Sequence, residues 1–122
     1  MAYYYSLRGW LEIEPENFSN AVHTLKSLNK QYESHPKFNL YLKGWCWGET
    51  NINWTRYLFY GADVTEDGLK FFKNMLCLMA DTGLKLSGYF HAQGEDGEKN
   101  YIYKMVDDSV SLEESVHNLE VT

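Results

Sequence analysis

The sequence predicts an α+β fold in which two helices cover one face of an antiparallel sheet. Several segments alternate apolar and polar residues, which is typical of strands with one buried side. Two other segments repeat apolar residues every three or four positions, which is typical of helices that bury one stripe. The chain has 122 residues and contains neither a linker-like stretch nor an internal repeat. We therefore expect a single domain over residues 1–122, with its core at 3–106 and an acidic tail at 107–122.

The N-terminal part of the chain predicts a strand followed by a helix. Residues 3–13 alternate apolar and polar side chains, and Gly9 interrupts the inner row, which suggests a bulge or a close helix contact. Residues 14–17 contain a proline between two glutamates, and both residue types suit the first turn of a helix. The apolar stripe continues to Tyr32, and the His-Pro pair at 35–36 ends the helix.

The middle of the chain predicts a hairpin and a second helix. Residues 38–47 alternate and predict the second strand, while residues 54–60 are rich in aromatics and predict the third. The short link between them contains turn residues, so the two strands are expected to pair. Thr65 is the expected N-cap of the second helix, which ends at residues 81–83.

The C-terminal part predicts two more strands and a tail. Residues 84–92 and 99–106 alternate, and a turn at 94–97 joins them. The tail is expected to add a short strand or helix around residues 110–116. The element order β-α-β-β-α-β, followed by an extra C-terminal strand, resembles the ferredoxin-like plait, in which two helices share one face of an antiparallel sheet.

The face that such a plait leaves open is expected to be rich in aromatic side chains. Aromatic residues make up 16% of the chain, and ten of them are tyrosines. Aromatics beyond what a small core can hold must lie on a surface. If the helices cover the inner rows of the predicted strands, the outer rows are exposed. Those rows contain Tyr4, Arg8, Trp10, Tyr41, Lys43, Trp45, Trp47, Tyr89 and His91. An exposed aromatic patch of this size usually marks a contact surface.

Charge is distributed unevenly along the chain. The net charge is −6, of which residues 1–60 carry +1 and residues 61–122 carry −7. An acidic surface repels nucleic acid and anionic membranes and attracts basic proteins. We therefore expect a basic protein as the partner, with no direct contact to nucleic acid or to a membrane.

The sequence favours a cytoplasmic location and a chain without metal or cofactor. It contains no apolar run of about 18 residues and no signal-peptide pattern. Cys46 and Cys77 match no metal-ligand or redox spacing, and no two histidines have the spacing of a helical zinc pair. The acidic turn at 94–98 lacks the residue order of a calcium-binding loop. We expect reduced thiols, no cofactor and no metal.

Two alternative functions have weaker support in the sequence. Residues 43–47, Lys-Gly-Trp-Cys-Trp, echo the core of an RNA-recognition strand, but that pattern belongs on the third strand of its fold and here falls on the second. Lys85, Ser87, Tyr89 and His91 would share one face of the fourth strand, with neighbours about 7 Å apart, which is compatible with a proton relay. Any alternating strand with polar outer residues produces such a row, so we expect no enzymatic activity.

In physical character the chain resembles the immunity proteins of bacterial toxin systems, including those of contact-dependent growth inhibition. The features it shares with them are small size, acidity and an aromatic-rich face. The resemblance implies a cognate toxin domain, often a nuclease, that the protein neutralises by covering it. In this interpretation acidic residues steer the toxin into contact and aromatic residues hold it. The expected partner-binding residues are Trp45, Trp47, Tyr89, His91, Glu95, Asp96, Glu98, Asp107 and Asp108.

The alternative to an inhibitor is a homodimeric plait that binds a small molecule, as regulatory and enzymatic plaits do. Such a protein would use the open face of its sheet for dimerisation. A monomer whose state does not change with concentration favours the inhibitor, whereas an obligate dimer favours the alternative.

Overall fold

A computed structural model describes residues 2–48, 50 and 54–115 of the chain. These residues form an antiparallel sheet and three helices, which confirms the predicted α+β class but adds a helix to the two that were predicted. The strands are β1 (Tyr5–Ile13), β2 (Trp45–Cys46), β3 (Arg56–Val64), β4 (Ser87–Gly94), β5 (Asn100–Val106) and β6 (Ser109–Ser115). The helices are α1 (Pro15–Gln31), α2 (Pro36–Leu42) and α3 (Glu66–Ala80).

β1 lies inside the sheet, between β3 and β4. The strand order is β2-β3-β1-β4-β5-β6, and each neighbouring pair is antiparallel. Trp10 of β1 lies opposite Phe59 of β3 on one side and opposite Tyr89 of β4 on the other. The helices pack against the face that carries the alternate residues, such as Leu11 and Phe90. The other face of the described sheet is therefore uncovered, and we call it the open face.

The covered face forms the hydrophobic core. Leu7, Leu11, Leu58 and Phe90 have no exposed surface, whereas the residues between them along each strand are partly or fully exposed. α3 contributes Phe72, whose ring centroid lies 5.0 Å from that of Phe90. Burying one side chain of this kind contributes roughly 1.5–3 kcal/mol. The period of two along the strands therefore decides which face the helices cover.

The predicted second strand at 38–47 is wrong over most of its length. Residues Pro36–Leu42 form helix α2, and only Trp45–Cys46 pair with β3. Pro36 stands at the first turn of α2, and Nδ1 of His35 accepts a hydrogen bond from the backbone of Phe38 at 3.4 Å. Residues 38, 41 and 42 have the i, i+3, i+4 spacing of a helix, while residues 38, 40 and 42 alternate as in a strand, so a segment this short does not distinguish the two.

The predicted tail is partly a strand of the sheet. β6 pairs with β5 along seven residues, from Val106 opposite Ser109 to Asn100 opposite Ser115. A two-residue turn, Asp107-Asp108, joins the strands with φ values of 47° and 66°. Positive φ at both positions gives a turn whose twist matches the twist of the flanking strands. The rest of the predicted segment around 110–116, and the chain from 116 to 122, lies outside the described residues.

Gly9 marks a close approach between two strands, neither a bulge nor a helix contact. It is paired in register with Phe90 of β4 and Tyr60 of β3. A Cβ at this position would overlap the carbonyl oxygen of Tyr89 and would lie 2.6 Å from the Cα of Phe90. Only glycine lets β1 and β4 approach this closely.

Candidate binding face

The open face carries a contiguous group of four aromatic side chains. Trp10 lies at its centre, with its ring centroid 5.7 Å from that of Tyr89. Phe59 lies opposite Trp10 on β3, and its ring stacks on that of Tyr57 at 5.8 Å. Trp10 is 36% exposed and Phe59 is 47% exposed. We call Trp10, Tyr57, Phe59 and Tyr89 the aromatic cluster.

Half of this cluster could be predicted from the sequence. Trp10 and Tyr89 were expected on the open face, together with Arg8 and His91, and the structure places all four there. Tyr57 and Phe59 were not singled out, because the third strand has aromatics on both of its faces. The pairing register with β1 decides that these two point outward while Tyr60 points inward.

Polar groups on the open face hold the cluster and its surroundings in place. The indole Nε1 of Trp10 donates a hydrogen bond to Oε2 of Glu12 at 3.0 Å, which orients the ring. Arg8 donates from Nη1 to Oγ of Ser6 at 2.8 Å and from Nη2 to Oε1 of Gln93 at 3.4 Å. At the β5–β6 side, Nζ of Lys104 lies 3.4 Å from Oε2 of Glu113. The cations of the open face are thus engaged with neighbours on the same face.

Trp45 does not lie on the open face, contrary to the sequence prediction. It is only 8% exposed, and its ring packs between Tyr60 of β3 at 5.0 Å and Phe72 of α3 at 5.9 Å. Its Nε1 lies 3.3 Å from the sulfur of Met75. The reason is that β2 begins at Trp45, opposite the inward Tyr60, so the ring enters the core. Trp45 therefore offers almost no surface to a partner on the open face.

Trp47, Tyr41 and Lys43 also leave the predicted surface. Trp47 is half-buried and meets Phe18 of α1 edge to face at 6.5 Å, so it lies on the helix side. Tyr41 lies in α2 and is 6% exposed. Lys43 caps the C-terminal end of α2, outside the sheet. All three were misplaced by the same error, the strand expected at 38–47.

Three of the five predicted steering acids lie together at one end of the sheet. Glu95, Asp96 and Glu98 form the β4–β5 turn, beside the N-terminal end of β1. Oε1 of Glu95 accepts a hydrogen bond from the backbone of Tyr4 at 2.8 Å. Oδ1 of Asp96 accepts from the hydroxyl of Tyr3 and from the backbone of Glu98, and these bonds lower the pKa of the Asp96 carboxyl. The turn is thus fastened to the chain that precedes β1.

A shallow acidic depression connects this turn to the open face. Its volume is about 550 Å³, and it is lined by residues from three strands and from the β4–β5 turn. Asp63, Glu95 and Asp96 supply carboxylates, while Ser6 and Gln93 border the open face. Asp63 was not among the predicted steering residues. No lysine or arginine lines the depression in the part of the chain that the structure describes.

Asp107 and Asp108 lie at the opposite end of the sheet, so the predicted acids do not form one rim. Both carboxylate oxygens of Asp108 accept backbone hydrogen bonds, from Lys85 at 2.9 Å and from Leu86 at 2.8 Å. These bonds tie the β5–β6 turn to the residues that lead into β4. Asp108 therefore stabilises the fold through these two hydrogen bonds.

The row of polar residues on β4 does not form a proton relay in this structure. Nε2 of His91 lies 2.9 Å from Oδ1 of Asn100 on β5, and Oγ of Ser87 accepts from the backbone of Asp107 at 3.2 Å. Neither Ser87 nor Tyr89 hydrogen-bonds His91 among the contacts of the described residues. Lys85 precedes β4 with a φ of 61° and does not continue its row.

Potential metal ligands, cysteines and helix hydrophobicity are further features of the described residues. Within ranges 2–48, 50 and 54–115, no group of three or more histidine, cysteine, aspartate or glutamate side chains is placed to hold a metal. Cys46 and Cys77 are both exposed and unbridged. Among the helices that the structure describes, none has both the length and the apolar composition needed to cross a bilayer.

Protein-family models, curated proteins and solved structures were all searched with the chain, and none of them matches it.

Proposed function

We propose that this chain binds and neutralises a basic protein domain through the open face of its sheet, as an immunity protein covers its cognate toxin. The observation that carries the proposal is the position of Trp10. Trp10 is paired in register with Phe59 and Tyr89 on the two adjacent strands, its ring contacts that of Tyr89, and no described element covers it. The toxin domain would be inhibited by occlusion, and the chain itself would have no enzymatic activity.

The aromatic cluster supports a protein partner because of its size and its rigidity. Tryptophan and tyrosine supply most of the anchoring energy in protein interfaces, since they bury a large area at a small cost in conformational entropy. The ring of Trp10 is already oriented by its bond to Glu12 and by its contact with Tyr89. A partner that docks here would order few additional side chains, which favours slow dissociation.

The acidic depression supports a basic partner. Asp63, Glu95 and Asp96 line a concavity large enough for one or two cationic side chains, directly beside the open face. With a net charge of −6, the chain attracts a positively charged domain over a distance and accelerates its association. In this revised site Asp63 joins Glu95, Asp96 and Glu98 in steering, while Asp107 and Asp108 lie too far away to share it.

We also propose that the fold is a ferredoxin-like plait. We interpret the order β2-β3-β1-β4, with helices between β1 and β2 and between β3 and β4, as a ferredoxin-like plait. In this interpretation β2 is reduced to two residues, and β5 and β6 extend the sheet beyond β4. The expected location is the cytoplasm.

A homodimer formed through the open face is the second candidate. The aromatic cluster would suit it equally well, because exposed apolar patches serve both kinds of interface. The net charge of −6 opposes it, since two copies repel each other. Light scattering over a wide concentration range separates the two candidates: a monomer throughout supports the inhibitor, and an obligate dimer contradicts it.

The test uses, as the candidate toxin, the protein domain that is encoded by the gene adjacent to the gene for this chain. Binding kinetics and toxin activity are measured for the natural chain, for Trp10→Ser and for Leu40→Ser, which changes an exposed residue on the helix side. We expect Trp10→Ser to raise Kd at least about tenfold and to abolish protection, whereas Leu40→Ser leaves both unchanged. Equal effects of the two substitutions would assign the interface to another surface.

Charge is tested separately from the aromatic anchors. The double substitution Asp63→Asn with Glu98→Gln removes two carboxylates whose oxygens accept no hydrogen bond from described residues. The matched control is Glu16→Gln with Glu33→Gln, which removes one carboxylate from α1 and one just beyond its end. We expect the first pair to lower the association rate several-fold and to flatten its salt dependence. An association rate that neither double substitution changes would contradict the proposal that these acids steer the partner.

A further inference from the structure

A groove between α1 and the β2 edge, on the helix side of the sheet, combines aromatic rings with cations. Its first depression has a volume of about 540 Å³ and is lined by Phe18, Val22, His23, Lys26, Trp47 and Arg56, among others. A second depression of about 250 Å³ shares Lys26 and Trp47 and adds Leu42 and Lys43. We call the two together the α1 groove. The ring of Trp47 stands between the two depressions.

The charge of the α1 groove is opposite to that of the chain. Lys26, Lys43 and Arg56 line it, and no described lining residue is a carboxylate, although the net charge of the chain is −6. None of these three cations forms an ion pair within the described residues. Clustered cations without carboxylate partners repel one another, and a bound anion relieves that repulsion.

One of the cations is held in a fixed position. The guanidinium carbon of Arg56 lies 3.6 Å from the centroid of the Phe18 ring, and its Nη2 donates a hydrogen bond to the carbonyl of Gly48 at 2.7 Å. Trp47 meets the same Phe18 ring edge to face and is half-buried. A cation and an aromatic ring are therefore positioned before any ligand arrives, which lowers the entropic cost of binding.

We propose that the α1 groove binds a small anionic molecule that carries a flat ring, of the size of a nucleoside monophosphate. The ring would stack on Trp47, and the anionic group would be bound by Lys26 with Lys43 or Arg56. The two depressions, of about 540 and 250 Å³, together have the size of a small-ligand site. This site lies on the opposite side of the sheet from the aromatic cluster. The proposed ligand site and the proposed inhibitor function can therefore be tested, and can fail, independently of each other.

The test is a two-dimensional NMR titration of the full chain with adenosine monophosphate as the probe. Adenosine alone and inorganic phosphate alone are titrated in parallel, because they separate the ring from the charge. We expect the indole N–H signal of Trp47 and the amides around Lys26 to shift first, with the nucleotide binding at least about tenfold more tightly than either fragment. The signal of Trp10 should not move.

Lys26→Gln and its matched control Lys30→Gln complete the test. Both lysines are exposed on α1, one turn apart, but only Lys26 lines the groove. We expect Lys26→Gln to weaken the nucleotide about tenfold and Lys30→Gln to leave it unchanged. The proposal is overturned by equal losses in the two variants, by phosphate binding as tightly as the nucleotide, or by shifts centred on Trp10.

Discussion

Trp10 and Tyr89 lie directly opposite each other on β1 and β4, with their ring centroids 5.7 Å apart on the open face. The contact depends on the pairing register of two strands that are far apart in sequence, because a shift by one residue would turn one ring into the core. The aromatic cluster therefore exists only in the folded chain, and the contribution of its ring contacts to the free energy of unfolding can be measured.

A double-mutant cycle measures the coupling between Trp10 and Tyr89. Each residue is changed to alanine alone and then with the other, and urea unfolding gives the free energies of unfolding. We expect a favourable coupling of about 0.5–1.5 kcal/mol, as for other aromatic pairs. Tyr57 serves as the control partner, since its ring stacks on Phe59 rather than on Trp10. A coupling of zero between Trp10 and Tyr89 would mean that the two rings do not interact in solution.

The four tryptophans of the chain should differ widely in their contribution to stability. Trp45 is 8% exposed and packs on Tyr60 and Phe72, whereas Trp54 is 81% exposed. Trp45→Ala is expected to lower the free energy of unfolding by about 3–5 kcal/mol, because it leaves a cavity in the core. Trp54→Ala should change it by no more than about 0.5 kcal/mol. Similar losses from the two substitutions would contradict the placement of Trp45 in the core.

Two glycines of the sheet should respond in opposite ways to alanine. Gly9→Ala forces a Cβ against the backbone of β4, so we expect a loss of stability large enough to prevent folding or to shift the register of β1. At Gly61, on the open face of β3, no atom lies within 4 Å of the added Cβ. Gly61→Ala is therefore expected to stabilise the chain by about 0.5–1 kcal/mol, since alanine loses less backbone entropy in a strand. Thermal unfolding of both variants checks this contrast.

The turn between β5 and β6 offers a matched pair of substitutions. Asp107 and Asp108 both have positive φ, which suits glycine better than aspartate. Asp107→Gly should be neutral or stabilising. Asp108→Gly relieves the same backbone cost but removes the acceptors for the N–H groups of Lys85 and Leu86, so we expect a net loss of about 1–3 kcal/mol. Chemical denaturation of the two variants gives the difference, and a more stable Asp108→Gly would contradict the assigned bonds.

Buried tyrosines should make the chain sensitive to alkaline pH. Burial raises the pKa of Tyr5, Tyr60 and Tyr103 well above its ordinary value, and a hydrogen bond to Glu66 adds to the effect at Tyr5. Because the folded pKa lies above the unfolded value, this contribution to stability is complete below about pH 10 and is lost as the pH rises toward the folded pKa. We expect the urea concentration at half-unfolding to decrease as the pH is raised from about 9 to about 11. Tyrosinate absorbance should appear as the chain unfolds.

Tyr60→Phe is the control for this pH dependence. The hydroxyl of Tyr60 donates to the carbonyl of Tyr41 at 2.6 Å, so the substitution costs some stability at neutral pH. It should nevertheless reduce the slope of stability against alkaline pH, because one buried titrating group is gone. A slope that is the same in both proteins would exclude Tyr60 as a source of the effect.

Local pattern predicted those elements that are long and regular. The alternation in β1, β4 and β5 and the apolar stripes of α1 and α3 all correspond to observed elements, since a period of two or of 3.6 is a direct record of one-sided burial. The strand predicted at 38–47 was wrong over most of its length because seven residues of α2 and two of β2 are too short to establish a period. The error moved Tyr41, Trp45 and Trp47 to the wrong side of the sheet.

Composition and local alternation are enough to predict the α+β class, the acidic balance and the outward position of Trp10, Tyr89 and His91, because these depend only on residue content and on neighbours along one strand. Tertiary structure alone decided that Phe59 and Tyr57 join Trp10, that Trp45 enters the core, and that the acids divide between two ends of the sheet. The physical reason is that strand register and the position of turns depend on contacts between residues far apart in the chain, and no local period encodes those contacts.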